Sequence, residues 1–330
     1  MPASALISVS LLLCVALGSP LAGMAAANSS SESYPVRPIR LVVPQSPGGG
    51  TDLYARLIAT PLSERLGQSV VIDNRAGAGS LIGTDLVAKA APDGYTLLGI
   101  SSSITIIPSI YKEVPFDPVR DFAPVALLST YPHLVVVHPA VPVNSIKELV
   151  ALAKAKPGAL NFASAGAGTP TQLGAELFNS LAGIKMVHVP YKGGGPALTA
   201  MLGGEAHVYF GPIGTVLPHV KAGKLRALAV TSAARSSIFP ELPSVAEAGL
   251  PGFVQDAWNG LMAPARTPPA IIRKLNSEIG VVMKMPALRE RYAAQGVEAG
   301  GMSPEEFASM IKSEIAKWSK VVRQAGIKPE

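Results

Sequence analysis

Cysteine is nearly missing from this chain: Cys14 is the only one in 330 residues. Without it no disulfide can form, and no site can hold a metal through thiolates. Aromatic residues are scarce, at 5%, and Lys and Arg are not gathered into runs interleaved with them. Nucleic acid is therefore not an expected partner. The five histidines (His133, His138, His188, His207 and His219) lack the spacing that would put two of them on one helix face, so no metal is expected. No GxxxxGK[ST] run occurs. Ser164 lacks the preceding glycine of a nucleophile elbow, because Phe162 stands where it is needed. No catalytic residue and no cofactor is expected.

Charge is absent from the first 27 residues, where Leu6 to Leu17 form an apolar run followed by Ala25-Ala26-Ala27. This pattern reads as a secretory signal peptide over 1–27, cleaved after Ala27, although only the terminal amine supplies its positive end. A membrane anchor is the alternative. Gly18, Ser19, Pro20 and Gly23 interrupt the run before it reaches the roughly 20 residues that a spanning helix needs. Cys14 follows Leu13 rather than a small residue, which disfavours lipidation. Removing this leader leaves the net charge of +6 unchanged, and a mild basic field of that kind steers anions.

What remains is 48% apolar and long enough for two domains. β-rich runs alternate with helix-period runs, as at Ile39 to Val43 followed by Leu53, Leu57, Ile58, Leu62 and Leu66. The expected fold class is α/β, two-lobed, each lobe a doubly wound sheet. A Pro-rich passage from Pro108 to Pro132 precedes a new strand at Leu134 to Val137, and Phe239 to Phe253 forms an irregular connection. Chain crossings are expected at both places, giving 34–130 plus 255–330 as lobe 1 and 131–254 as lobe 2, with a two-strand hinge. Pro61 is expected to kink its helix. Ser303 with Glu306 predicts a capping box on the last helix.

Two loops spell one device. PQSPGGGTD (Pro44 to Asp52) and NFASAGAGTPTQL (Asn161 to Leu173) both run from a strand through glycines to a threonine and then a helix. Each is expected to present unpaired N–H groups of a helix start, which attract anions. Gly48, Gly49, Gly50 and Thr51 in the first, with Ala165, Gly166, Gly168 and Thr169 in the second, are the expected ligand-binding residues. Either threonine can cap its helix. Asp52 sits in the first turn, where its carboxylate favours the dipole yet repels an anion, and its role stays open. Ser80, beyond the Gly77-Ala78-Gly79 turn, is a further candidate. Lys192-Gly193-Gly194-Gly195-Pro196 reads as a strand-to-helix turn, and Tyr191 before it is expected to pack, with facing a ligand as the alternative.

With PQSPGGGTD, the segments VIDNRAGAGS (71–80), APDGYTLL (91–98), HVPYKGGGPAL (188–198), VKAGKLRALAVTSAARS (220–236) and WNGLMAPARTPPAII (258–272) run through the chain in order. Together they resemble the tripartite tricarboxylate transporter substrate-binding family, also called Bug proteins. The resemblance implies a periplasmic solute-binding receptor with a type II periplasmic-binding fold, a monomer that delivers small carboxylates to the membrane permease subunits of such a transporter. It also implies that the carboxylate is held by Gly48 to Thr51 and Ala165 to Thr169, partly through bridging waters. Ser46 replaces an aromatic common in that family's first loop, and Gln172 stands where a His is usual, so both are expected to tune specificity. An orphan ligand-binding sensor and an enzyme using the same cleft are the alternatives.

Overall fold

Strand β4 (Phe122–Val137) is the spine of the fold, because it pairs with two different sets of strands along its 16 residues. The computed structural model describes residues 34–236, 239–324, 326, 327 and 329. The leader read in residues 1–27, with its cleavage after Ala27, lies outside them. Pro35–Glu330 form one compact unit.

From Phe122 to Pro132, β4 runs antiparallel to β9 (Asp256–Pro264). Beyond β9 the order is β3 (Thr96–Ser101), β1 (Ile39–Val43) and β2 (Val70–Asn74), the last three mutually parallel. From His133 to Val137, β4 pairs instead with β7 (Val208–Pro212) and β8 (Arg226–Val230). Parallel neighbours β5 (Asn161–Ser164) and β6 (Val187–Pro190) follow β7. A short β10 (Glu298–Ala299) joins β4 at Ser129 and Thr130. The alternating α/β pattern read from the sequence is therefore present as one mixed sheet whose strand partners change at Pro132/His133.

The sequence reading began this strand only at Leu134 because two prolines precede it. Pro124 and Pro132 cannot donate to a ladder, and the structure accommodates them where the ladder breaks. Register shifts fall at Pro124/Ala126 and Leu127/Ser129, and Pro132 is the last residue paired with β9.

The helices follow from the apolar periodicity. Ile58 and Leu62 of α1 (Gly50–Leu66) are buried, and the helix runs on through Pro61. Then come α2 (Leu81–Ala88), α3 (Ser103–Ile110), α4 (Ile146–Ala155), α5 (Pro170–Ala182), α6 (Gly194–Leu202) and α7 (Ile213–Lys221). Three more, α8 (Pro269–Met283), α9 (Pro286–Ala293) and α10 (Pro304–Gln324), complete the chain. The capping box read at the start of α10 is present: Glu306 N–H donates to Ser303 Oγ at 3.2 Å, and Ser303 N–H donates to Glu306 Oε2 at 2.8 Å. Helix α3 escaped the sequence reading because Pro108 interrupts it, yet Ile104, Ile106, Ile107 and Ile110 are all buried.

Two apolar cores flank the point where β4 changes partners. One gathers Val42, Leu98, Ile100, Trp258, Met262 and Phe307, with the Trp258 and Phe307 rings edge to face at 5.2 Å. The other gathers Val135, Val137, Phe162, Phe178, Phe210 and Phe253. A smaller cluster ties them together, in which Trp318 and Val322 of α10 and Ile106 and Ile110 of α3 meet Leu173 of α5. That contact sets the N-terminal end of α5 beside the β1–β3 half of the sheet. No helix among the described residues is long and apolar enough to cross a membrane.

Candidate functional site

Five helix starts converge on one small pocket. Its wall contains Gly50 and Thr51 from the first turn of α1, and Pro170 and Thr171 from that of α5 together with Thr169, the N-cap residue. Gly194 opens α6, Pro212 is the N-cap residue of α7, and Ser101 precedes the N-cap Ser102 of α3. Each helix start carries up to about half a positive charge. The remaining wall is Gln45, Tyr131, His133, Ala165 and Tyr209, so neither a cation nor a carboxylate lines the pocket. Burial holds His133 neutral by lowering its pKa to about 4, against a smaller raising effect of its bond to Gln255. The amides of Gly50, Thr51, Thr171 and Gly194 donate to no protein acceptor. Nor does the Tyr209 hydroxyl have a partner, although the residue is fully buried. The surroundings suit an anion.

The inner pocket is narrow, about 20 Å³, the scale of one water. It shares Gln45 and Ala165 with an outer chamber of about 300 Å³, whose walls are the Gly77–Ser80 turn, Tyr111, Ala165 to Ala167 and Pro190 to Gly193. The loops around both cavities touch. A Cβ added at Gly194 would lie 3.2 Å from Gly49 Cα, and one at Gly193 would overlap the Ser46 side chain. Only residues without side chains let these backbones meet so closely.

The first loop is braced by charge. Asp52 accepts from Gly48 N–H at 3.0 Å, from Asn74 Nδ2 at 2.9 Å, and from Arg56 Nε. Burial raises the Asp52 pKa, but the bonds from Arg56, Gly48 and Asn74, with the charge of Arg56, outweigh it and leave the pKa below its ordinary value. Its role, open in the sequence, is thus to hold the loop. Ser46 Oγ donates to the Lys192 carbonyl across the cleft and lines neither cavity.

The second loop is braced by neutral groups. Gly168 N–H donates to Gln172 Oε1 at 2.8 Å, Ala165 N–H to Thr171 Oγ1 at 2.9 Å, and Gly166 N–H to Ser164 Oγ at 3.1 Å. Ser164 Oγ lies 2.6 Å from His188 Nε2, whose ring stacks on Phe162 and whose Nδ1 is 3.4 Å from Gln172 Nε2. Burial lowers the His188 pKa to about 4.

These bonds revise the sequence reading in two ways. Neither threonine caps a helix: Gly49 is the N-cap residue of α1 with no side-chain bond, and Thr169 Oγ1 donates to the Gly166 carbonyl instead. The amides of Gly48, Gly166 and Gly168 are used inside their own loops, so the unpaired donors are those one or two residues farther on. Of the expected residues, Gly50, Thr51, Ala165 and Thr169 line the inner pocket, and Ser80, Ala165 and Gly166 line the outer chamber. Ser46, Gly48, Gly49, Asp52, Gly168 and Gln172 line neither and stand behind them. Of the inner pocket's lining, the sequence reading missed Gln45, Ser101, Tyr131, His133, Pro170, Thr171, Gly194, Tyr209 and Pro212. A signal existed for Gly194, in the Gly193 to Gly195 run; nothing in the local sequence of Tyr209 marks it.

Comparison with known proteins matches residues 54–327 to the model of the tripartite tricarboxylate transporter family receptor. The chain is 42% identical over 305 residues to protein BugT of Bordetella pertussis, covering 92% of this chain and 94% of that one. Among solved structures, Rpa4515 of R. palustris with adipate is similar at a TM-score of 0.88 and 37% identity, covering 90% of this chain and all of the other. MatC from Rhodopseudomonas palustris with bound malate follows at 0.83 and 33%, over 88% of this chain and all of that one.

Proposed function

The chain belongs to the tripartite tricarboxylate transporter receptor family, and from that premise we propose that it captures a small organic carboxylate between two lobes and hands it to a membrane permease. The lobes are 34–130 plus 255–330 and 131–254, and the receptor works in the periplasm as a monomer, after removal of its leader behind Ala27. The observation that carries the ligand class is the meeting of five helix starts on a pocket lined by no acid and no cation. Unpaired amides of Gly50, Thr51, Thr171 and Gly194 supply directed donors, and charge-assisted bonds of this kind contribute about 1.5–3 kcal/mol each. Adipate and malate in the two similar structures agree with that class.

The inner pocket is too narrow for a carboxylate as the loops now meet, so capture proceeds by separation and reclosure of the halves. Closure, not chemistry, is the event. Ser164, the one serine within bonding distance of a histidine among the described residues, is fully buried, and it lines neither cavity. It braces a loop and attacks nothing.

Titration calorimetry of the mature protein against a library of carboxylates tests this reading. At least one acid should bind saturably and raise the melting temperature. Gly50→Val should remove that binding, because a Cβ at Gly50 already meets Pro212 at 3.2 Å and the added methyl groups fill the pocket. A library with no binder, or a variant that binds as the parent does, overturns it.

A further inference from the structure

Helix α1 carries more apolar surface than the core covers. Tyr54, Ile58 and Leu62 form its buried stripe. One residue before each of them, Leu53, Leu57 and Pro61 repeat the same spacing and form a second stripe that is only half-buried. Met285 and Leu288, from the start of α9, line the groove of about 440 Å³ that runs along this second stripe. Apolar residues scattered singly over a surface are ordinary, but a concave strip shared by two helices marks a place where something packs.

Two guanidinium groups border the groove. Arg56 and Arg291 line it, and no Asp or Glu does. Arg291 is exposed and makes no hydrogen bond or ion pair among the described residues. Arg56 spends Nε on Asp52 at 3.0 Å and Nη2 on Asn74 Oδ1 at 3.1 Å, which leaves Nη1 to face outward. The Arg56 side chain is 53% exposed and that of Asp52 only 4%, so a partner in the groove can reach the arginine but not the carboxylate behind it. Asp52 in turn holds Gly48 N–H, and Gly50 and Thr51 of the same helix line the inner pocket. Arg56 therefore connects the groove to the ligand loop.

We propose that this groove docks an amphipathic, acidic helical segment of the membrane permease, and that docking acts on the bound ligand through Arg56. Recognition of a helix in a groove uses apolar anchors at every third or fourth residue, the spacing that Leu53, Leu57 and Pro61 present. A carboxylate on the docked segment meets Arg291 and the outward Nη1 of Arg56. Drawing Arg56 outward weakens its hold on Asp52, loosens Gly48 and spoils the aim of the Gly50 and Thr51 amides. Docking thus favours release. The proposal rests on the transport reading above and deepens it by naming the surface that the permease meets.

The test measures binding of the full mature receptor to its permease in phosphatidylglycerol nanodiscs, with empty discs of the same lipid beside them. The parent should bind the loaded discs only. Leu57→Asp, which places a charge on the apolar floor, should weaken that binding at least about tenfold, as loss of a central anchor does. Arg291→Glu should weaken it by about fivefold, less as salt is raised, and Arg291→Lys should restore it. Neither Leu57→Asp nor Arg291→Glu touches a wall of the ligand pocket, so calorimetry should find each binding its acid as the parent does. Loaded discs should also speed acid dissociation from the parent by at least about fivefold, and should not do so from Arg56→Met. Undiminished docking by both variants overturns the site, as does an equal loss of acid affinity or binding of the parent to empty discs, which would place the attraction in lipid. Acid dissociation that the permease leaves unchanged overturns the link through Arg56. Should the parent bind neither kind of disc while calorimetry still finds its acid, the transport reading fails and the docking site with it, and carboxylate capture stands. Arg291 is exposed, so its variant reports even if Leu57→Asp disturbs α1.

Discussion

At the loop before α1 a carboxylate holds the backbone, and at the loop before α5 neutral groups do. Asp52 gathers Gly48 N–H, Asn74 and Arg56 around one buried negative charge. Gln172, Thr171 and Ser164 do the same service for Gly168, Ala165 and Gly166, backed by a His188 kept neutral by burial. The two loops look alike in sequence because both need glycine near a helix start. Their supports differ because the first lies next to an exposed arginine and the second is enclosed. With one charged brace and one neutral brace, both standing behind the pocket, its wall carries no acid and no cation, while each loop stays fixed enough to aim its unpaired amides.

The largest effect expected from breaking this contrast is at Asp52. Asp52→Ala leaves Gly48 N–H and the Asn74 amide without their acceptor, and should lower stability by about 2–3 kcal/mol in urea unfolding. Gln172→Ala, which strips one neutral acceptor, should lower it by about 1 kcal/mol. Equal losses at the two positions would refute the distinction between the braces.

Acidification separates them on a second axis. Between pH 6.5 and about 4 an unfolded chain takes up protons at His188 and His133 that the folded chain refuses, so stability falls as pH falls through that window. The Asp52 carboxyl is held below its ordinary 3.8, so its contribution is complete above that value and is lost only as pH falls through the lower folded pKa. Urea midpoints measured from pH 7 to 3 should show both phases. His188→Gln should flatten the upper phase and leave the lower one in place; an unchanged upper slope would remove His188 from the brace.

Much of the first loop could be read in advance, since a β-branched run, three glycines and an apolar helix stripe leave few alternatives for 39–66. The site was less legible, for a physical reason. Glycine and threonine marked where backbones would approach, but which amides stay unpaired depends on side chains that arrive from elsewhere, such as Asn74 at Asp52 or His188 at Ser164. Tyr209 and His133 face the pocket from strands β7 and β4, brought together by the β4–β7 ladder. No local pattern encodes that meeting. The two prolines in β4 hid the strand because a bulge absorbs Pro124 and a change of partner strand absorbs Pro132, and sequence periodicity registers neither.

The smallest expected effect lies where the two halves touch. Ser46 Oγ donates to the Lys192 carbonyl, a bond that exists only when the loops meet. Ser46 is half-buried, and a neutral bond at such a place contributes about 0.5–1.5 kcal/mol. Ser46→Ala should therefore leave the folded stability of the separate loops intact and weaken binding by about three- to tenfold. Because the bond forms after the ligand has entered, the change should appear in the dissociation rate, with association unaltered. Stopped-flow measurement of both rates decides it. A slower association with unchanged dissociation would place Ser46 in ligand entry, and would return it to the role of contacting the ligand that its position in the sequence first suggested.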